Sequence, residues 1–311
     1  MSVSVWCLAT TLELCSRRSS IDHLRLNGPR AAIAPELGCL APVEWSIVMI
    51  DVTEVDFQII KSAGFVAALF LAASLQRWSP HGEQRGSLRT NAGLWAVNAA
   101  VLGLVCGGCA CAVSIWAGRE GFGLLNEVSV PLWAGIVISI FGLDLVSYLW
   151  HRANHRVPLL WRFHQAHHSD SQYTVTTALR FHPGELLLAL PVRLFAVVVL
   201  GVPVAGIIVF EVVFAFANFW EHGNIGLPPR LEQALGHVII TPALHRRHHS
   251  VQARLLDSNY GTIFSLWDRL LGSFGGGRSS VLVETGLPGL PGSLGTLNVL
   301  ALPARGSFRG E

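Results

Sequence analysis

An all-α, polytopic membrane bundle with a histidine-rich helical cap is the fold class this sequence predicts, and three observations lead there. The first is composition: 51% of the 311 residues are hydrophobic and only 14% are charged, with a mean hydropathy of +0.47. Length alone would suggest two soluble domains or one large one, but several apolar runs approach the ~20 residues that cross a bilayer. The second is that polar, arginine-rich stretches separate these runs. The third is clustering of the 13 histidines into the segment DLVSYLWHRANHRVPLLWRFHQAHH, Asp144 to His168, and its partial echo HRRHH, His245 to His249.

Taken in order, residues 1–48 sustain no helical or strand period and are expected to be a poorly ordered extension. The native start is expected at Met49, the second of only two methionines, and no signal peptide is evident. The membrane-embedded domain is placed at 49–272. Its first span reads Ile59 to Leu75, with Lys61 near one end where it can snorkel. A loop with Arg77, Arg85 and Arg89 follows, then a second span from Asn91 to Gly118. A third runs from about Val130 to Trp150 and leads directly into the histidines. Leu186 to Leu200 and Val204 to Trp220 form a hairpin about Gly201-Val202-Pro203, short enough that a partial crossing is as plausible as two spans.

Charge sharpens this outline of about three spans plus a hairpin. Arg193 lies nine residues before Val202 and Glu211 nine after, so antiparallel helices bring them to one depth, where charges within a membrane need partners. Arginines in short loops place the histidine end on the cytoplasmic side. Residues 273–311 are rich in Gly and Pro and are expected to be a loosely ordered tail. A net charge of +2, with no basic tract interleaved with aromatics, excludes nucleic acid as the natural partner. Cys106, Cys109 and Cys111 lie in the apolar run LVCGGCACAV, where small side chains packing between helices account for them better than metal does. No disulfide framework is implied.

The chemistry lies in the histidine spacing. Asp144, Tyr148, His151 and His155 are four, three and four residues apart and share one helical face. An aspartate in a span marks a functional site by default, and its expected role is to hold a ligand imidazole by its free N–H. His164, His167 and His168 have spacings of three and one, and His245, His248 and His249 repeat them. Each triplet can serve one metal with two side chains and reach a second with the third. Eight imidazoles exceed what a single ion takes, so two metals follow. His222, in NFWEHGN, is favoured as a ninth ligand. His182, in LRFHPGE, stands evenly between ligand, outer hydrogen-bonding and substrate-contact roles.

The strings HRANH, HQAHH, RFHP, NFWEH, PALHRRHH and DSNYG together resemble the fatty acid hydroxylase superfamily, the sterol desaturase-like integral-membrane enzymes, over roughly residues 60–272. That resemblance implies a cytoplasmic-facing di-iron centre using O2 and two electrons to hydroxylate or desaturate a membrane lipid. It matches His151, His155, His164, His167, His168, His245, His248 and His249 to the motif ligands and His222 to a further histidine. Asp257, Asn259 and Tyr260 match another element, with a supporting or structural role. Electrons are expected from a separate donor, a reductase with a ferredoxin or a cytochrome b5-like carrier. Unactivated C–H bonds resist acid–base catalysis, so the cofactor carries that step. An all-imidazole set also suits zinc, and a two-zinc membrane hydrolase or a non-enzymatic metal-binding membrane protein are the rival readings.

Overall fold

The structure, a computed structural model, describes residues 54–308 apart from 84–85, 107, 277–282 and 293. The expectations for residues 1–48 and for a start at Met49 lie outside the described residues. Among the described residues, the secondary structure is helical, with isolated β-bridges and no strand. The helices in chain order are α1 (Glu54–Trp78), α2 (Leu88–Cys106), α3 (Cys109–Glu120), α4 (Leu124–Glu127), α5 (Leu132–Arg156), α6 (Pro158–His168), α7 (Pro183–Leu200) and α8 (Val204–Glu221). They continue as α9 (Pro229–Leu235), α10 (Pro242–His248), α11 (Ala253–Leu256), α12 (Leu266–Leu270), α13 (Thr296–Leu300) and α14 (Leu302–Arg305).

Five helical stretches are long and apolar enough to cross a membrane, which makes the chain a multi-pass membrane protein. The hairpin pair α7 and α8 has 18 residues in each arm, about 27 Å at 1.5 Å per residue, so both arms are long enough to span. The second span differs from the continuous helix expected over Asn91–Gly118. Gly108 sits at φ 80 and separates α2 from α3, and α3 instead packs beside the α7–α8 turn, where Ser114 Oγ donates to the Val202 carbonyl at 2.6 Å. Two adjacent glycines offer little resistance to such a break.

Small residues let the helices press together. A Cβ on Gly142 of α5 would come within 2.7 Å of Leu200 on α7, and one on Gly206 of α8 within 2.8 Å of Ser139 on α5. Cys111 is buried in the same apolar cluster as Leu143, Ala196 and Phe210, as its small-residue context suggests. Arg193 and Glu211 do pair, at 2.8 Å, and Lys61 approaches the other carboxylate oxygen at 3.9 Å.

The opposite end of the bundle carries the histidines. There Gln76 Oε1 at the end of α1 accepts from the backbone N–H of Val175 and of Asn224, each at 2.9 Å, tying two loops to the span. The described part of the C-terminal region is docked rather than loose. Leu294, Val299 and Leu302 are buried with Leu94 and Ala166, and Gln165 bonds the carbonyls of Leu302 and Gly306 and the N–H of Phe308. The Gly/Pro content there marks turns between apolar anchors, so composition alone misjudged its order.

Candidate metal centre

The nine histidines come from four pieces of chain, each positioned by ordinary helix chemistry. His151 and His155 close the long helix α5. Pro158, at the first position of α6 where its missing N–H costs nothing, restarts the chain and presents His164, His167 and His168. On α10, Thr241 caps the first turn by accepting from Leu244 N–H, Pro242 follows, and His245 and His248 lie in the last turn with His249 immediately beyond. His222 follows the last residue of α8.

Together they form two groups. His151, His155, His164, His168 and His248 have potential ligand atoms all within 4.8 Å of one another, and so do His167, His222, His245 and His249. The two triplets exchange members: α6 gives its i, i+4 pair, His164 and His168, to the first group and His167 to the second. α10 gives its i, i+4 pair, His245 and His249, to the second and His248 to the first. The groups abut, with the His168 and His249 rings stacked at 4.3 Å between centroids. All nine are buried except His151, which is half-buried.

The hydrogen bonds reveal how the rings are set. Nδ1 of His151 faces the Tyr260 carbonyl at 2.8 Å, Nδ1 of His248 the Ser258 carbonyl at 2.7 Å, Nδ1 of His222 the Asn218 carbonyl at 2.7 Å and Nδ1 of His167 the Arg180 carbonyl at 3.2 Å. Glu185 Oε1 lies 2.9 Å from His164 Nδ1, while Asp257 Oδ1 approaches His155 Nδ1 at 3.6 Å and Glu221 Oε2 approaches His245 Nδ1 at 3.6 Å. A carbonyl only accepts, so Nδ1 of those four rings carries the proton and Nε2 is left with a bare lone pair.

The inner ring nitrogens converge. His167 and His222 Nε2 are 3.0 Å apart and His222 and His245 Nε2 3.1 Å apart; His164 and His168 Nε2 approach to 3.2 Å. Nε2 of His151, His248 and His249 is buried without a hydrogen-bond partner. Two facing acceptors repel, and orphaned buried polar atoms are costly. A cation among them resolves both conflicts, so this donor set fits metal ions, with the outer oxygens fixing tautomer and ring orientation.

The same burial sets the charge state. It pushes the His248 imidazole down to about 3, helped by neighbouring imidazoles, and holds His222 at about 4; His167, His168, His245 and His249 lie well below the ordinary 6.5 for the same reason. Groups depressed on folding contribute stability that is present above the unfolded value near 6.5 and lost as pH falls toward the folded values. The metal-free protein should therefore melt at progressively lower temperature between pH 7 and pH 4. A melting temperature that rises over that interval contradicts this charge state.

Other sequence-selected residues fall elsewhere. Asp144 does not hold an imidazole. Its Oδ1 accepts from Ile263 N–H and its Oδ2 from Phe264 N–H, each at 3.1 Å, and Oδ2 also accepts from Trp267 Nε1 at 2.8 Å. Sharing a helical face with His151 did not bring them together, because seven residues separate them by about 10 Å along the axis. Tyr148 meets Ser273 Oγ at 2.7 Å. Asn259 shapes the backbone: it is the only non-glycine among the described residues with positive φ, 55, and its side chain bonds the Leu244 and Gly275 carbonyls. Of the non-histidine candidates, Asp257 approaches the His155 ring and Tyr260 meets His151 through its carbonyl, whereas Asp144, Tyr148 and Asn259 bond elsewhere. His182 joins neither group; it caps α7, accepting from Gly184 N–H at 2.9 Å, while Nε2 faces the Leu300 carbonyl at 3.2 Å.

Glu185 and Glu221 were missed from the sequence. Each looks there like an ordinary acidic residue at a helix end, and only the fold brings it to a ring. Replacing Glu185 with Leu should lower metal affinity by about 10–100-fold, the usual effect of losing an outer partner, whereas Glu185→Gln, which keeps an acceptor, should lose less. Equal metal retention in wild type and the Leu variant would remove Glu185 from this role.

Residues 136–273, which contain all nine histidines, match the family model for fatty acid hydroxylase. Among curated proteins the chain is similar to ornithine lipid hydroxylase OlsE of Rhizobium tropici, 35% identical over 140 residues, covering 45% of this chain and 40% of that protein. It is also 30% identical over 174 residues to alkylglycerol monooxygenase of Danio rerio, covering 52% and 34%. Lathosterol oxidase of Mus musculus is 30% identical over 146 residues, covering 47% and 46%. The chain thus spans less than half the length of each of these relatives. No solved structure matches. The histidine cage is thus assembled entirely from the segment, residues 136–273, that matches the fatty acid hydroxylase family model.

Proposed function

We propose that this protein is an O2-dependent oxidoreductase that hydroxylates or desaturates a C–H bond of a membrane lipid, with two iron ions as its cofactor. The observation that carries the reading is the pair of buried histidine groups whose ligand atoms converge within 4.8 Å of one another. The names of the relatives, a lipid hydroxylase, a monooxygenase and a sterol oxidase, support the reaction class. Bound iron supplies reduction of O2 by two electrons, chemistry that amino-acid side chains lack.

The chain's own residues do the rest. His151, His155, His164, His168 and His248 hold one ion and His167, His222, His245 and His249 the other. Glu185, Asp257, Glu221 and the four carbonyls orient the rings, and burial excludes water from the centre. The overall balance for hydroxylation is RH + O2 + 2 electrons + 2 protons giving ROH + H2O; desaturation consumes the same inputs and releases two waters. Electrons come from a separate reductase with a ferredoxin or cytochrome b5-like carrier. Zinc bound to the isolated protein is compatible with the same ligands.

We place the histidine end on the cytoplasmic side. Arg77, Arg89, Arg156 and Arg162 lie at that end, whereas the loops around α3 and α4 carry Arg119 against Glu120 and Glu127, an asymmetry that follows the positive-inside rule. Iron-loaded protein given a reductant and a total lipid extract under 18O2 should consume oxygen and yield an 18O-labelled alcohol or a lipid two hydrogens lighter. Release of hydrolysed lipid without oxygen uptake would instead establish a metal-dependent hydrolase.

A further inference from the structure

Asp144 is a carboxylate in the middle of a membrane-crossing helix, and the reaction described above makes no use of it. Its three bonds reach a segment more than a hundred residues later, Ile263 to Trp267, and they hold that segment low on α5. Asp144 lies 12 residues after Leu132, about 18 Å along the helix. A hydrocarbon layer of about 30 Å beginning at Leu132 ends near Arg152, so the segment sits about 12 Å inside it.

Packing agrees with that depth. The Phe264 ring stacks on Phe141, one turn further from the histidines, with centroids 4.4 Å apart, and Trp267 meets Phe141 edge-on at 6.4 Å. Ile263 and Phe264 belong to the apolar cluster formed by Leu143, Phe210 and Ile140 of the spanning helices. The chain then climbs: the Leu271 carbonyl accepts from Arg152 and Ser273 reaches Tyr148.

Irregular backbone at such depth requires that its polar groups be satisfied within the protein, and the bonds made by Ile263, Phe264 and Ser265 are of that kind. Ile263 and Phe264 N–H go to Asp144, Ser265 N–H goes to the Val238 carbonyl at 3.1 Å, and the Ile263 carbonyl accepts from Ile240 N–H at 3.0 Å. Ser265 Oγ and Arg269 donate to the Gly236 carbonyl. The outward side chains are apolar: Leu270 is 66% exposed, Val238 60% and Leu231 45%, with Leu266 and Leu271 also exposed. Val137, Ile138 and Phe141 of α5 are exposed as well, and Phe141 packs against both Phe264 and Trp267. The carboxylates of these elements are turned inward, Glu232 onto Thr241 and Asp268 onto Tyr260 N–H and Gly261 N–H, while Arg230 and Arg269 are exposed.

We propose that residues 263–271, with the turn at 236–240 bonded to them, form a re-entrant element seated among the acyl chains of the leaflet that borders the histidines. Its partner is lipid. The assignment rests on the membrane-crossing reading of the five helices and is independent of iron or oxygen chemistry. It also accounts for Asp144, because the carboxylate replaces water as acceptor for three donors that the bilayer cannot satisfy.

The depth of position 270 distinguishes the outcomes. A nitroxide on Leu270→Cys, in the full chain lacking its native cysteines and reconstituted in phosphatidylcholine vesicles, should be relaxed by O2 more than by an aqueous nickel chelate. Ile138→Cys, on the lipid-facing side of α5, should behave alike, and Arg254→Cys, exposed on α11, should show the reverse. Position 270 following Arg254 would overturn the proposal, and so would protection from both reagents, which signals a second protein copy over the patch. Should the cysteine-free chain fail to fold, a diazirine amino acid at 270 in the native chain reads the same depth: lipid adducts support the element, and water adducts overturn it.

Discussion

Alanine at His248 is expected to abolish activity and to lower bound metal by at least one ion per chain. His248 is the only member of the α10 triplet in the five-histidine group, and its ring faces those of His151, His155 and His168 at 4.6–4.8 Å between centroids. The loss should exceed the about 10–100-fold that follows removal of an outer partner, because a ligand itself is gone. His245→Ala, the matching change in the other group, should do the same to the second ion. Full metal content and activity in either variant, measured by elemental analysis and product formation, would contradict the ligand assignment.

Asp144→Ala is expected to have the largest effect on folding. It leaves Ile263 N–H, Phe264 N–H and Trp267 Nε1 without their acceptor in a buried setting. Each unsatisfied buried donor costs about 1–3 kcal/mol, so the sum is comparable with the whole stability of an ordinary domain. The variant should be recovered at low yield and be cut by protease within 257–274. Asp144→Asn, which keeps one acceptor oxygen, should lie between. Since Tyr260 orients His151 and is itself held by Asp268, release of this segment should also weaken metal binding. Wild-type yield and protease resistance in the alanine variant would show that the three bonds are dispensable.

Sequence pattern exposed the parts governed by local periodicity. The apolar runs located the spans, and the three-and-one spacing of each triplet foretold that its members would divide between two groups, as His164/His168 and His167 do. The antiparallel count about Val202 found the Arg193–Glu211 pair. Features decided by contacts distant in sequence stayed hidden. Asp144 and His151 share a face, but depth along the axis, not face, selects the partner. Glu185 meets His164 only after a turn, a 3-10 helix over Val175–Leu179 and the start of α7. His182 sits in a histidine-rich neighbourhood, and its role as a helix cap depends on where α7 begins. The break at Gly108 and the docking of Leu294, Val299 and Leu302 show the same limit, since glycine and proline content does not distinguish a loose tail from turns between anchors.

Nine histidines holding two iron ions in adjoining sites form the proposed heart of this protein. Anaerobic reconstitution of the full chain with ferrous iron, followed by iron quantification and Mössbauer spectroscopy before and after O2 exposure, probes that centre most directly. Two irons per chain and an exchange-coupled diferric signal after oxygen are expected. One iron per chain, or two that remain uncoupled and unoxidised, would contradict the di-iron assignment.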